Sequence, residues 1–365
     1  MSCKAWAAIA LLAALTTAAP AAQNEAETTL VYPCHRTPKP VVIDGKLTPA
    51  EWAAAITVSG FTISGSDTLA PQQVEMSLLY DAEHLYIAVK CLESQMSKVK
   101  APHRVTDGPF WLDDAIEFFI DANHDHQTHW QFATTPAAMR YDNLDGDSTW
   151  NADWKVAAHK AADFWAVEIA IPFADLKLGA PAPGTLWGFN LCRERQPSGK
   201  LELYNWANVQ RVFKNAHLFG HLYFVAADWK PTAATVSPAA RKAEGDLARL
   251  FARHGTWDTP RGGKPTLVPY RDQLRRLSPG GQRFMAELRT IFANNPSLPL
   301  HKQFTQLNAT YASTQKLIAG STPIDAPTWA RAALFLGTLK DQAEELYWKV
   351  RLAELDKSLD QPDKE

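Results

Sequence analysis

The chain has 365 residues, a formal net charge of −2 at pH 7 and 46% hydrophobic residues. This length is typical of about two domains, and the apolar fraction excludes a wholly disordered chain. The balanced charge argues against a nucleic-acid binder, which needs a basic surface, and four cysteines are too few for a disulfide-built miniprotein. The number of tryptophans, 13, is unusually high.

The first residues have the pattern of a secretory signal peptide. Lys4 supplies a positive start, residues 5–15 form a short apolar run, and residues 19–21 are small or proline. The run is too short to span a bilayer, which takes about 20 residues. We therefore expect residues 1–21 to be a signal peptide and the protein to be exported to the periplasm or the exterior; a buried N-terminal helix is the alternative.

The cysteines that follow this segment are Cys34, Cys91 and Cys192. Three thiols allow at most one internal disulfide and leave one over. The pairing does not follow from the sequence, and three free buried cysteines are the alternative.

Residues 22–230 have the pattern of a β domain. Apolar and polar residues alternate in 74–78 and again in 85–91, with a turn at 81–84 between them, as in a hairpin. The same alternation occurs in 116–121 and in 165–171, and nine of the 13 tryptophans lie in this region. Several short strands with regular turns predict an antiparallel β-sandwich.

Residues 231–365 have helical periodicity and predict a small helical bundle or a long helical hairpin. The helices are expected at about 238–253, 279–294, 299–319 and 326–358. In the last one, apolar residues follow a strict 3-4 spacing from Trp329 to Ala353. This seam is expected to pack within the chain, and the alternative is a homodimer through the 329–353 helix.

The chain lacks the common catalytic motifs. It has no G-x-S-x-G elbow, P-loop, H-E-x-x-H or strand-linked G-x-G-x-x-G sequence. Asp113, Asp114 and Glu117 are the residues that an acid/base mechanism on O-glycosyl bonds would use, since such a mechanism needs two nearby carboxyls. A non-catalytic protein is the preferred prediction.

One acidic turn has the spacing of a cation site. Asp121, Asn123 and Asp125 place oxygen ligands at alternate positions, as calcium loops do. We therefore predict a structural calcium ion there; a solvated hairpin turn is the alternative. The same turn carries three histidines that suggest zinc, although a polar hairpin tip explains them as well: His124, His126 and His129.

Some of the tryptophans are candidates for ligand binding. Trp111, Trp150, Trp154 and Trp206 lie beside loop-forming residues, at the ends of predicted strands. Exposed rings with nearby carboxylates and amides bind sugars, because the C–H face of a sugar stacks on the ring while its hydroxyls form hydrogen bonds.

Several sequence blocks, taken in order, resemble family 9 carbohydrate-binding modules over about residues 38–226. The opening I-D-G-x-L with a following tryptophan is found at 43–47 and Trp52, and the D-D-x-x-E-x-F-I-D block at 113–121. A W-x-V-E-I-A-I-P strand follows at 165–172. The remaining blocks are L-Y-I-A at 85–88, Q-F at 131–132, W-G-F-N at 187–190 and F-G-x-L at 219–222.

The resemblance implies a calcium-supported sandwich that binds a sugar between two tryptophans. Trp111 matches the first ring, Glu117 its carboxylate and Arg140 the arginine, while Trp206 is the second ring, with Asn205 beside it. The family usually has W-S-P at this second ring, whereas this chain has Trp-Ala-Asn at 206–208.

We therefore expect an exported, non-catalytic protein that binds poly- or oligosaccharides and serves carbohydrate catabolism. Three alternatives remain. The first is an accessory or catalytic component of a glycoside hydrolase or lyase system. The second is a structural sandwich that has lost its ligand, and the third is a haem-binding sandwich that uses Met76 and His221.

Overall fold

The computed structural model describes residues 27–210 and 212–359, so the expected signal peptide lies outside the described residues. Fifteen strands and five α-helices are formed there. The strands are β1 Thr28–Arg36, β2 Thr62–Ile63, β3 Val74–Tyr80, β4 His84–Leu92, β5 Ala115–Asp121, β6 Trp130–Thr134, β7 Arg140–Leu144, β8 Lys155–Lys160, β9 Phe164–Pro172, β10 Leu186–Arg195, β11 Glu202–Asn205, β12 Gly220–Val225, β13 Leu247–Ala252, β14 Gly255–Pro260 and β15 Thr266–Pro269. The helices are α1 Ala233–Lys242, α2 Tyr270–Leu277, α3 Gln282–Asn294, α4 His301–Ala319 and α5 Ala326–Leu359.

The strands form one continuous mixed sheet in the order β7-β6-β5-β10-β12-β1-β3-β4-β9-β8. β1 connects the two halves, because it runs parallel to β12 through Val31–His35 and parallel to β3 at His35 and Arg36. The predicted β architecture is confirmed, but the prediction of a purely antiparallel sandwich is wrong. Alternation reports which face a side chain occupies and contains no information on strand direction.

The two halves of the sheet enclose one apolar core. Inward-facing residues of β5 and β10 meet those of β4 and β9, as the period-two alternation predicts. The fully buried residues include Ile116, Phe118, Leu191, Ile87 and Val167.

The segment after residue 230 is not entirely helical. Residues 238–253 were expected to form one helix, yet α1 ends at Lys242 and β13 begins at Leu247. β13 pairs parallel with β1 from Thr28 to Val31, and β14 and β15 extend it as antiparallel strands. The sheet thus includes strands from both sides of the expected boundary at 230/231. The glycines at 245 and 255 break the helical pattern, and Gly245 has a φ of +99°.

The remaining helices agree with the expected ones, and α2 at Tyr270–Leu277 is an additional helix. The seam of α5 is buried in a cluster shared with α2, α3 and α4, and Leu336, Leu339, Leu346 and Val350 are at most 2% exposed. The seam therefore packs within the chain and is not the exposed surface that a coiled-coil dimer would use. No helix among the described residues is long and apolar enough to cross a membrane.

The three cysteines of this part of the chain are free and buried. Burial raises the pKa of the Cys91 thiol to about 12, so this thiol is protonated at neutral pH.

Candidate ligand-binding face

The outward-facing side of β6, β5, β10 and β11 carries a group of polar side chains. In β5, alternation points Ile116, Phe118 and Ile120 into the core and therefore Glu117 outward. Glu117 lies opposite Ala133 of β6 and Cys192 of β10, and Asn205 of β11 also lies opposite Cys192. We call the group the outer face; its members are Gln131, Glu117, Glu194 and Asn205.

Several polar atoms of the outer face have no partner. The Gln131 side-chain amide donates to Glu117 Oε2 at 2.7 Å. Gln131 Oε1, Glu194 Oε2 and Asn205 Oδ1 are buried without a hydrogen bond in the described structure. Buried polar atoms are normally paired, so these three acceptors are suited to receive hydrogen bonds from a ligand.

The pKa values of the two carboxyl groups of the outer face are raised. Burial raises the pKa of Glu117 to about 7, and the amide of Gln131 and the charge of Lys214 oppose this effect. Burial and the nearby Glu117 raise the pKa of Glu194 to about 8. At neutral pH the pair therefore holds at least part of its protons and offers both donors and acceptors.

An aromatic ridge borders the outer face on one side. Trp111 lies in a short 3-10 helix, Phe110–Leu112, and its side chain is 51% exposed. Phe110 contacts Trp111 edge-on at 5.4 Å and Tyr141 of β7 at 4.8 Å between ring centroids. Phe110 also packs on Ala115 and Ala133, which flank Glu117 and Glu194 in the register.

The segment after β11 covers the other side of this face. Val209, Ala216 and Phe219 form a buried cluster with Phe119 of β5 and Cys192 of β10. This loop places Lys214 close enough to influence Glu117. The outer face thus lies between the aromatic ridge and an apolar loop.

Two of the five predicted sugar-binding residues lie elsewhere. Arg140 of β7 is opposite Thr134, which is itself opposite the core residue Ile116, so Arg140 is on the other face of the sheet from Glu117. Its guanidinium donates to the Trp154 carbonyl at 2.7 Å. The prediction that Arg140 accompanies Glu117 is therefore wrong.

Trp206 does not offer an exposed ring. It is 3% exposed and lies in the core at 6.0 Å from Phe189 and 6.0 Å from Phe251, measured between ring centroids. Trp206 also lines a cavity of about 780 Å³ between the sheet and the helices, together with Tyr270 and Trp329. The predicted second stacking wall at Trp206 is therefore wrong, whereas sugar binding by Trp111, Glu117 and Asn205 stays a prediction.

The structure adds two residues that sequence reasoning missed. In the sequence, Gln131 is recognisable only as part of the Q-F block at 131–132, and Glu194 belongs to none of the family blocks. Glu194 continues the outward alternation of Asn190 and Cys192 in β10, and this alternation is the signal that identifies it.

The acids proposed for catalysis have structural partners. Asp113 is fully buried, accepts from the His103 backbone and lies 2.7 Å from His103 Nδ1. Asp114 accepts from the backbone N–H groups of Lys100 at 2.7 Å and Gln196 at 3.1 Å. Only Glu117 of the three faces the candidate site.

Haem ligation by Met76 and His221 does not fit the fold. Met76 belongs to the core between the two halves of the sheet. His221 alternates with the core residues Leu222 and Phe224 and therefore faces outward. The two side chains lie on opposite faces and do not converge on one iron.

The acidic turn for which calcium is predicted is held together by its own hydrogen bonds. Asp121 accepts from the backbone N–H groups of Asp125 and His126, and Asp125 accepts from those of Gln127 and Thr128. Asn123 points its amide nitrogen at Asp125 Oδ2, at 2.9 Å. These carboxylates close the turn on itself, and their hydrogen bonds lower the pKa of Asp125 to about 2.

The β domain thus combines a polar outer face with an aromatic ridge. The chain belongs to the family described as carbohydrate family 9 binding domain-like, whose model matches residues 43–227. The sequence-based recognition of this family is thus confirmed.

Two curated relatives are glycan-degrading enzymes. Endo-1,4-beta-xylanase A of Thermoanaerobacterium saccharolyticum is 29% identical over 153 residues, which cover 41% of this chain and 12% of the enzyme. Exoglucanase XynX of Acetivibrio thermocellus is 27% identical over 154 residues, 41% of this chain and 13% of the enzyme. The chain therefore spans about an eighth of the length of these relatives.

Similar solved structures include a family 9 carbohydrate-binding module from Caldicellulosiruptor kristjanssonii. In its complex with cellotriose the TM-score is 0.42 at 17% identity, covering 55% of this chain and 98% of that one. For its complex with glucose, the TM-score is 0.42 at 18% identity, and the match covers 56% of this chain and 99% of that one.

Proposed function

We propose that this protein binds a carbohydrate on the outer face and does not itself cleave it. The observation that carries the proposal is the set of three unpartnered buried oxygens on Gln131, Glu194 and Asn205, next to the exposed ring of Trp111. Sugar hydroxyls are both donors and acceptors, so they complement these oxygens and the partly protonated carboxyl pair.

Trp111 is the stacking ring in this proposal. Its half-exposed indole is fixed against Phe110, which in turn is packed on Tyr141. A preorganised ring loses little conformational entropy on binding, so its face is available to the C–H groups of a sugar.

The choice of ligand class is supported by the names of the two relatives, an endo-1,4-beta-xylanase and an exoglucanase. We therefore infer β-linked gluco- or xylo-oligosaccharides as the first ligands to test. The proposal includes export and a role in carbohydrate catabolism, both of which rest on the sequence pattern of residues 1–21 and on the family.

The experiment is calorimetry of the mature chain with cello- and xylo-oligosaccharides, after a glycan-array screen. Trp111→Ala is expected to weaken binding about tenfold or more, equivalent to about 1.4 kcal/mol or more. The matched control is Trp348→Ala, which removes a tryptophan that is 57% exposed on α5. Equal binding by both variants, or no binding by the wild type to any glycan, would contradict the proposal.

A separate experiment tests the proposal that the protein does not cleave the carbohydrate. Products of the same oligosaccharides are followed by chromatography for the wild type and for Glu117→Gln. We expect no turnover by either protein. Turnover that is lost in Glu117→Gln would instead establish a glycoside hydrolase or lyase.

A further inference from the structure

A cluster of histidines and one glutamate lies outside the outer face, between the β5–β6 turn and the loop after α1. One ring nitrogen of His124, one of His126 and a carboxylate oxygen of Glu244 all lie within 4.8 Å of one another. His221 of β12 adjoins the cluster, with its Nδ1 at 3.3 Å from His124 Nε2. These residues come from three segments that are distant in the sequence.

We propose that His124, His126 and Glu244 bind a divalent transition-metal ion of the zinc type, with His221 as a positioning residue for His124. Two imidazoles and one carboxylate form the donor set of zinc sites that keep one position open for water or a ligand oxygen. Calcium and magnesium prefer all-oxygen sites, so the imidazoles select against them.

The distance between His126 and Glu244 fits an ion between these two side chains. His126 Nε2 lies 3.4 Å from Glu244 Oε2, yet it makes no hydrogen bond and is buried. Two ligands of a tetrahedral zinc ion, each about 2.0–2.1 Å from the metal, are separated by about 3.3–3.4 Å. The contact has the spacing of two atoms that share an ion.

Neighbouring groups orient both imidazoles. His126 Nδ1 lies 3.3 Å from the Ala216 carbonyl oxygen, so it carries the proton and leaves Nε2 free. Metal-bound histidines commonly donate their second N–H to a carbonyl in this way. His124 has a similar neighbour in His221 Nδ1.

The turn itself presents the two imidazoles. Asp121 accepts from the His126 backbone at 2.9 Å, and both His124 and His126 have left-handed backbone conformations, with φ of 54° and 58°. The acidic residues of the turn therefore shape it, while its histidines face the metal position. An ion there would join the β5–β6 turn to the loop of Glu244.

The test is a zinc titration of the untagged mature chain after removal of metals by a chelator. We expect one Zn²⁺ per chain and a higher thermal unfolding midpoint, with no competition from an equal concentration of Ca²⁺. His124→Asn and His126→Asn are expected to weaken zinc binding more than tenfold. The matched control His159→Asn changes an exposed histidine of β8 and is expected to bind zinc like the wild type.

The Co²⁺-substituted wild type gives a readout that needs no variant, in case a variant fails to fold. Intense visible d–d absorption of four-coordinate cobalt supports the proposal, and the weak absorption of six-coordinate cobalt overturns it. His221→Asn is expected to weaken zinc about 10–100-fold while keeping the four-coordinate spectrum. Absence of 1:1 zinc binding, or equal affinity in all variants, overturns the site.

Discussion

The Trp52 indole N–H donates to Glu168 Oε1 at 2.9 Å, and this hydrogen bond joins two distant sequence blocks. The same carboxylate accepts from the backbone N–H groups of Asp44, Gly45 and Leu47. Glu168 lies on β9 and is fully buried. The I-D-G-x-L opening and the W-x-V-E-I-A-I-P strand of the family are therefore two parts of one interaction.

Glu168→Gln is expected to destabilise the fold by about 2–3 kcal/mol. Four N–H groups donate to the two carboxylate oxygens of Glu168, whereas the amide of glutamine has only one oxygen that can accept. Urea unfolding followed by tryptophan fluorescence measures the change. The control is Glu83→Gln, an exposed position, where the effect is expected to stay within about 0.5 kcal/mol. Equal midpoints for both variants would show that the loop 44–47 does not depend on the carboxylate.

A buried ion network ties β10 to the end of β4. Glu93 is 1% exposed and accepts from Arg193 at 3.1 Å and from Arg195 at 2.7 and 2.8 Å. Arg193 also donates to the carbonyl groups of Gln72 and Leu92. Arg193 and Arg195 follow the core residue Leu191 at alternate positions of β10, where the alternation predicts apolar side chains.

Glu93→Gln is expected to cost about 3–5 kcal/mol, since it leaves the buried Arg193 guanidinium without a counter-charge and Arg195 with Glu202 alone. Thermal unfolding followed by circular dichroism measures this loss. Glu287→Gln, which removes the partly exposed partner of the exposed Arg283, serves as the comparison and is expected to change little. A small loss in Glu93→Gln would mean that water replaces the carboxylate.

The Glu117–Glu194 pair makes stability depend on pH. The folded-state pKa values are raised from 4.5 to about 7 and about 8, so the folded protein binds protons more tightly than the unfolded chain. Stability from these groups is therefore fully present below about pH 4.5 and is lost as the pH rises through their folded pKa values.

We expect the urea midpoint of the wild type to fall between pH 5 and pH 8.5 and that of Glu194→Gln to fall less. Removing this carboxyl abolishes its own titration, whereas the pKa of Glu117 stays raised because burial causes that shift. Glu83→Gln is expected to keep the wild-type slope. A Glu194→Gln slope as steep as that of the wild type would place the titrating groups elsewhere.

The sequence predicts the family, most strands and the outward position of Glu117 correctly, because alternation and the sequence blocks are local signals. It does not reveal that β1 runs parallel to β12, since the partner is some 190 residues away and strand direction leaves no periodic trace. It also misassigns Arg140. A shift of one residue in β7 moves a side chain to the other face of the sheet, and the sequence does not show which face Arg140 occupies. The histidines of the β5–β6 turn meet Glu244 only in the folded chain.

Trp206 is buried and Trp111 is half exposed, although the sequence predicts both as stacking rings. A Cβ placed on Gly220 would lie 2.6 Å from the Trp206 ring, which shows how closely the sheet packs on that indole. Trp206→Ala is therefore expected to cost about 3–5 kcal/mol of unfolding free energy. Trp111→Ala is expected to cost much less, because half of that ring is already in water.

Urea unfolding of the two variants and oligosaccharide binding by each folded protein separate these roles. Trp206→Ala lowers the urea midpoint, and Trp111→Ala keeps the midpoint but loses the sugar. If Trp206→Ala folds as stably as the wild type and binds sugar more weakly, the ring would be part of the recognition surface, and the 780 Å³ cavity that it lines would be the sugar site in place of the outer face.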